Sequence, residues 1–149
     1  MKLAEALQER ADLTRKVASL HARLDNNALV QEGENPAEDP NELLKELDSS
    51  LASLEELVTR INTTNCNTLV NGESLTSLIS RRDALTQKIR IYRDLVVSAS
   101  QAARRATRSE IKILSTIDVK ATQNNIDAMS KKLRELDNLI QQTNWTTDL

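Results

Sequence analysis

Phenylalanine is absent from this sequence, and Tyr92 and Trp145 are its only large aromatic side chains. Aromatic rings bury large areas and usually fill the centre of a thick core. A chain without them packs thin aliphatic seams instead. Glycine and proline occur twice each, so little interrupts a helix, and a glycine-rich phosphate loop is excluded. A single cysteine, Cys66, excludes an internal disulfide framework, and no motif around it suggests a nucleophile. The single histidine, His21, is expected on the surface rather than in a metal site. No apolar run approaches the 18 residues that suggest a membrane-spanning helix. The opening "MKLAEALQERAD" has no long apolar stretch and reaches an acid by Glu5, so no secretory leader is expected. A cytoplasmic location follows as the expectation.

Leucine, by contrast, occupies 22 of 149 positions, and most of the apolar residues fall in a 3,4 repeat. The first series is Leu3, Ala6, Arg10, Leu13, Val17, Leu20 and Leu24. A second runs Leu44, Leu47, Leu51, Leu54, Val58, Ile61 and Asn65. The third is Leu75, Leu78, Arg82, Leu85, Ile89, Tyr92, Val96, Ala99 and Ala103. The last is Val119, Thr122, Ile126, Met129, Leu133, Leu136, Ile140 and Thr143. This spacing keeps one stripe on one helical face, and over several heptads it argues for coiled-coil packing. Leu7, Leu43, Leu57, Leu95 and Leu139 widen the stripes, as a bundle of more than two helices requires. The expected fold is therefore all-α: one domain over 1–149, with four long antiparallel helices at about 2–28, 40–65, 74–104 and 118–144. They form a four-helix bundle or paired coiled-coil hairpins.

The joints carry their own signals. Asp39-Pro40-Asn41-Glu42 reads as a helix start, with Asp39 as N-cap and Pro40 in the first helical position. Asp118 is placed to cap the fourth helix. Asn71-Gly72 is the favoured pair for a tight hairpin turn, because both residues accept positive φ. A small β-hairpin is expected in 66–75. Alternation of Ile111 and Ile113 with Glu110, Lys112 and Leu114 suggests a short strand in 108–117.

Charge is unevenly distributed. Residues 32–56 carry nine acids and one lysine, whereas residues 81–112 carry nine Lys or Arg and three acids. Such a chain pairs its charges within the fold or across copies of itself. The acidic stretch "QEGENPAEDP" holds carboxylates of the type that bind hard cations, but their spacing does not match the calcium-loop pattern. No metal and no cofactor is expected. Glu32, Glu34 and Glu38 are read as partners for the arginines of the third segment, in a bend whose prolines and glycine reverse the chain. The basic stretch Arg104, Arg105, Arg108 and Lys112 resembles a phosphate-neutralising patch. It lacks interleaved aromatics for base stacking, and pairing with the acidic segment is preferred to nucleic acid. Arg10 and Arg82 sit in stripe positions. They are expected either to meet carboxylates inside the bundle or at a subunit interface, or to snorkel outward. Trp145 is expected to cap the bundle end or to pack on a neighbouring subunit.

The stretches "NNALVQEGENPAEDP" (26–40), "RINTTN" (60–65), "RRDAL" (81–85), "RSEIKILSTIDV" (108–119) and "RELDNLIQQTNW" (134–145) together give the chain its family likeness. On these it resembles the septicolysin-like family of small bacterial proteins over essentially its whole length. The resemblance implies a haemolysin and carries over no catalytic or ligand residue.

The functional expectation is a non-enzymatic helical protein that forms a homo-oligomer and serves in interaction or scaffolding. No cluster in the sequence pairs a nucleophile with a base. Alternatives are a septicolysin-like cytolysin that lays its leucine faces on a membrane, a chaperone with prefoldin-like architecture, and a nucleic-acid-associated protein.

Overall fold

The computed structural model describes residues 1–101 and 111–149. Four helices account for most of them: α1 (Leu3–Asn26), α2 (Pro40–Asn67), α3 (Leu75–Ser100) and α4 (Val119–Thr146). Between α2 and α3 lies a two-stranded hairpin of β1 (Leu69–Val70) and β2 (Glu73–Ser74). The fold is all-α, with four helices and one small β-hairpin among the described residues, as the heptad spacing and Asn71-Gly72 indicated. Residues 102–104, assigned to the third helix from the sequence, lie outside the described residues.

Local chemistry sets the helix ends. The Asp39 carboxylate accepts a hydrogen bond from the Asn41 backbone N–H at 2.9 Å, and Pro40 needs no donor partner at the first position. Ser74 caps α3 by accepting from the Ser77 N–H at 3.2 Å. Asp118 caps α4 through the Ala121 N–H at 3.0 Å. Asn71 and Gly72 have φ of 53° and 85°, the left-handed geometry that a two-residue hairpin turn demands. Of the stretch 108–117, by contrast, residues 111–117 contain no strand, and 108–110 lie outside the described residues. A strand needs a ladder partner, and β1 and β2 pair only with each other among the described residues.

The chain divides into two compact units. The first comprises Met1–Val70 with Thr143–Leu149. Here α1 and α2 run antiparallel: Lys16 Nζ lies 2.9 Å from Glu46 Oε1, and further along α1 Arg23 pairs with Glu38. Its buried apolar side chains include Leu3, Ala4, Ala6, Leu20, Leu43, Leu57 and Ile61. Each fully buried Leu or Ile contributes about 1.5–3 kcal/mol of transfer free energy. The chain ends close this unit. Leu3 N–H donates to the Thr147 carbonyl at 2.9 Å, Leu149 N–H donates to the Met1 carbonyl at 3.0 Å, and Lys2 Nζ lies 2.8 Å from Asp148 Oδ1.

The register of α2 differs from the sequence expectation. The buried seam runs Leu43, Ser50, Leu57 and Ile61 with Leu47 and Leu54 half-buried between them. Leu44 and Leu51, placed in the seam from the sequence, are 45% and 43% exposed. Two 3,4 series overlap on this helix, sharing Leu47, Leu54 and Ile61. The packed series includes a serine, which a count of apolar residues passes over.

The second unit is Asn71–Gln142. It pairs α3 with the part of α4 that it contains. Arg82 faces Asp137, while Ile89, Arg90 and Arg93 line one groove with Ser130 and Leu133, so the two helices run antiparallel. The described members of both stripes are all at least half-buried here, with Leu75, Leu78, Ile89, Ile126 and Ile140 fully so. Tyr92 is half-buried, with Lys88 Nζ 5.6 Å from its ring centroid; this is within cation–π range.

Candidate interaction surfaces

The acidic bend is anchored at one end and open at the other. Asn27, buried at the end of α1, donates through Nδ2 to the Arg23 carbonyl at 2.8 Å and accepts at Oδ1 from the Glu38 N–H at 3.0 Å. Arg23 Nε donates to Glu38 Oε1 and Oε2 at 3.2 and 3.0 Å, and its Nη2 completes a bidentate fork. The hydrogen bond from Arg23 holds the Glu38 carboxyl below the usual carboxylate range, and the same bond raises the arginine. Glu38 therefore answers Arg23 of α1, not an arginine of the third segment. The reason is geometric: the bend folds Glu38 back over the last turn of α1. Glu32 and Glu34 remain exposed on either side of Gly33, whose φ is 85°. Leu29 and Val30, just before them, are 91% and 50% exposed.

Arg82 meets two carboxylates. Its guanidinium hydrogen-bonds Asp83 at 2.8 and 3.0 Å, and its Nη1 lies 3.9 Å from Asp137 on α4. Its side chain is 31% exposed. Arg10 is exposed and takes the outward alternative. Arg104, Arg105 and Arg108 lie outside the described residues. Lys112 is exposed, flanked by Ile111 and Ile113 at 77% and 43% exposure. Trp145, in the last turn of α4, is 53% exposed. His21 is exposed with Asp25 3.5 Å away, and Cys66 is exposed at the end of α2. Among the described residues no group of three or more His, Cys, Asp or Glu is arranged to hold a metal ion. No helix among them is long and apolar enough to cross a membrane.

Two surfaces were not singled out by the sequence. One is the strip on α2 formed by Leu44, Asp48, Leu51 and Glu55, all exposed. Steps of three and four put these residues on one face. The signal was present in the second 3,4 series, but it marks an outer face rather than the packed seam. The other is an open groove along α3 and α4 in two adjoining stretches of about 300 and 390 Å³, which share Thr86, Ser130 and Leu133. The Ser130 hydroxyl is buried there without a hydrogen-bond partner among the described residues. Four arginines and two aspartates line it.

These features define an all-α protein with four helices and a small β-hairpin among the described residues. The chain belongs to a family of unknown function, DUF6847, whose model matches residues 10–149. It is similar to a conserved protein of unknown function from Corynebacterium diphtheriae known from a crystal structure, with 41% sequence identity and a TM-score of 0.95. That match covers 100% of this chain and 98% of the other. Comparison with curated proteins gives no match. The family membership corrects the resemblance to septicolysin-like proteins, and the haemolytic role that came with it falls away.

Proposed function

We propose that this chain is a non-enzymatic interaction protein of the bacterial cytoplasm that self-associates and acts as a scaffold. The observation that carries this reading is the outer face of α2. Leu44 and Leu51 stand at heptad spacing yet are 45% and 43% exposed. A repeated apolar strip on an otherwise charged helix is the pattern of a helix that expects a further partner. Half-buried Leu85, Leu133 and Leu136 on α3 and α4 support the same reading. So does the separation of acidic and basic segments, because opposite charges on one chain allow copies to attract one another. The non-enzymatic part rests on the sequence, in which no cluster pairs a nucleophile with a base.

Size-exclusion chromatography with light scattering tests the reading. The expected mass is a multiple of 16.7 kDa. A single species at 16.7 kDa across micromolar to millimolar protein would refute it.

A further inference from the structure

Self-association requires two surfaces that fit, and the strip on α2 and the groove on α3–α4 are complementary in length, polarity and charge. We propose that α2 of one copy docks through Leu44, Asp48, Leu51 and Glu55 into the α3–α4 groove of a second copy of this chain. This rests on the self-association reading above and names its interface.

Length comes first. Leu44 to Glu55 spans eleven residue steps, about 16 Å of helix at 1.5 Å per residue. The groove runs along α3 from Arg82 to Arg93, also eleven residue steps, hence about 16 Å. The interiors also match. Ile89 and Leu133 line the groove and present aliphatic surface to Leu44 and Leu51, the kind of contact by which a helix lies in a groove.

Charge then chooses the occupant. Arg82 is already engaged by Asp83 and Asp137. Arg90, Arg93 and Arg134 are exposed, and among the described residues none of them enters an ion pair. Among the described residues that line this stretch with Arg90 and Arg93, Asp94 is the one carboxylate. The groove therefore carries unspent positive charge and five-donor forks suited to carboxylates. The α2 strip supplies two carboxylates, Asp48 and Glu55, each four residues after a leucine, and both lie in residues 32–56, where acids outnumber lysine nine to one. A carboxylate oxygen also gives the buried Ser130 hydroxyl the acceptor it lacks. Two α2 strips brought together would instead set acids against acids, which disfavours a contact of α2 with itself. The strip and the groove are different surfaces. The contact is satisfied either reciprocally in a closed dimer or head to tail around a ring.

Charge exchange tests this on the full-length chain by light scattering, with helicity from circular dichroism as the folding control. Asp48→Arg with Glu55→Arg reverses the strip, and Arg90→Glu with Arg93→Glu reverses the groove rim. Each pair alone is expected to raise the dissociation constant by about tenfold or more. The two variants mixed, or all four substitutions in one chain, are expected to restore assembly. If the wild-type chain is oligomeric and both reversed variants assemble as it does, the docking mode is overturned while self-association stands. Failure of the exchanged chain to regain assembly, with helicity intact, also overturns it. A monomeric wild-type chain overturns the docking and the self-association reading together.

Discussion

Arg23 and Glu38 show how much of the tertiary specificity rests on single side chains. The fork between them, with Asn27 buried beneath, fixes where the acidic bend meets the end of α1. Because Arg23 lowers the Glu38 pKa in the folded chain, the unfolded chain takes up the proton first as pH falls. The contribution is thus fully present above the ordinary glutamate pKa of about 4.3 and is lost as pH drops through the lower folded value. Asp148, lowered by its hydrogen bond from Lys2, behaves in the same direction. Denaturant midpoints between pH 7 and pH 3 should fall more steeply for the native chain than for Glu38→Gln. Identical pH profiles would show that the pair carries no linkage. At this scale the caps were readable, since Asp39 and Asp118 act on N–H groups two or three residues away. The partners of Glu38 and Lys2 were not. Each depends on where distant chain arrives, 15 residues away for Arg23 and Glu38 and at the opposite end of the sequence for Lys2 and Asp148.

Among the elements, α2 is the instructive case. The sequence offers two 3,4 series on one helix and cannot say which is packed, because leucines populate both. Burial decides: Leu57 is 6% exposed and Leu51 43%. Leu57→Ala should therefore cost about 2–5 kcal/mol, as for a buried leucine. Leu51→Ala, measured at concentrations that dissociate the chain, should cost less than about 1.5 kcal/mol, as expected where little of the side chain leaves water. Equal costs would return the packed seam to the series predicted from the sequence. For α3 and α4 the ambiguity does not arise, since one apolar series dominates each helix and the structure packs that series. The strand expected near Ile111 failed for a different reason. Alternation marks a face but does not supply the neighbouring strand that a ladder needs.

The whole molecule is short of large apolar groups. Among the described residues the buried core is leucine, isoleucine and alanine, with four polar residues among them: Asn27, Ser50, Thr143 and Asn144. Domains with a thin core gain stability by covering apolar surface with another copy. The absence of phenylalanine made the thin seams readable from composition alone. The surfaces that a second copy would cover became visible only once exposure separated the strip on α2 from its seam. If the seams are completed between copies, unfolding is coupled to dissociation, and stability then depends on protein concentration by mass action. The direct measurement is the thermal midpoint over a hundredfold range of concentration. The midpoint should rise by about 2 °C for each tenfold increase. A midpoint that does not move over that range would contradict the account.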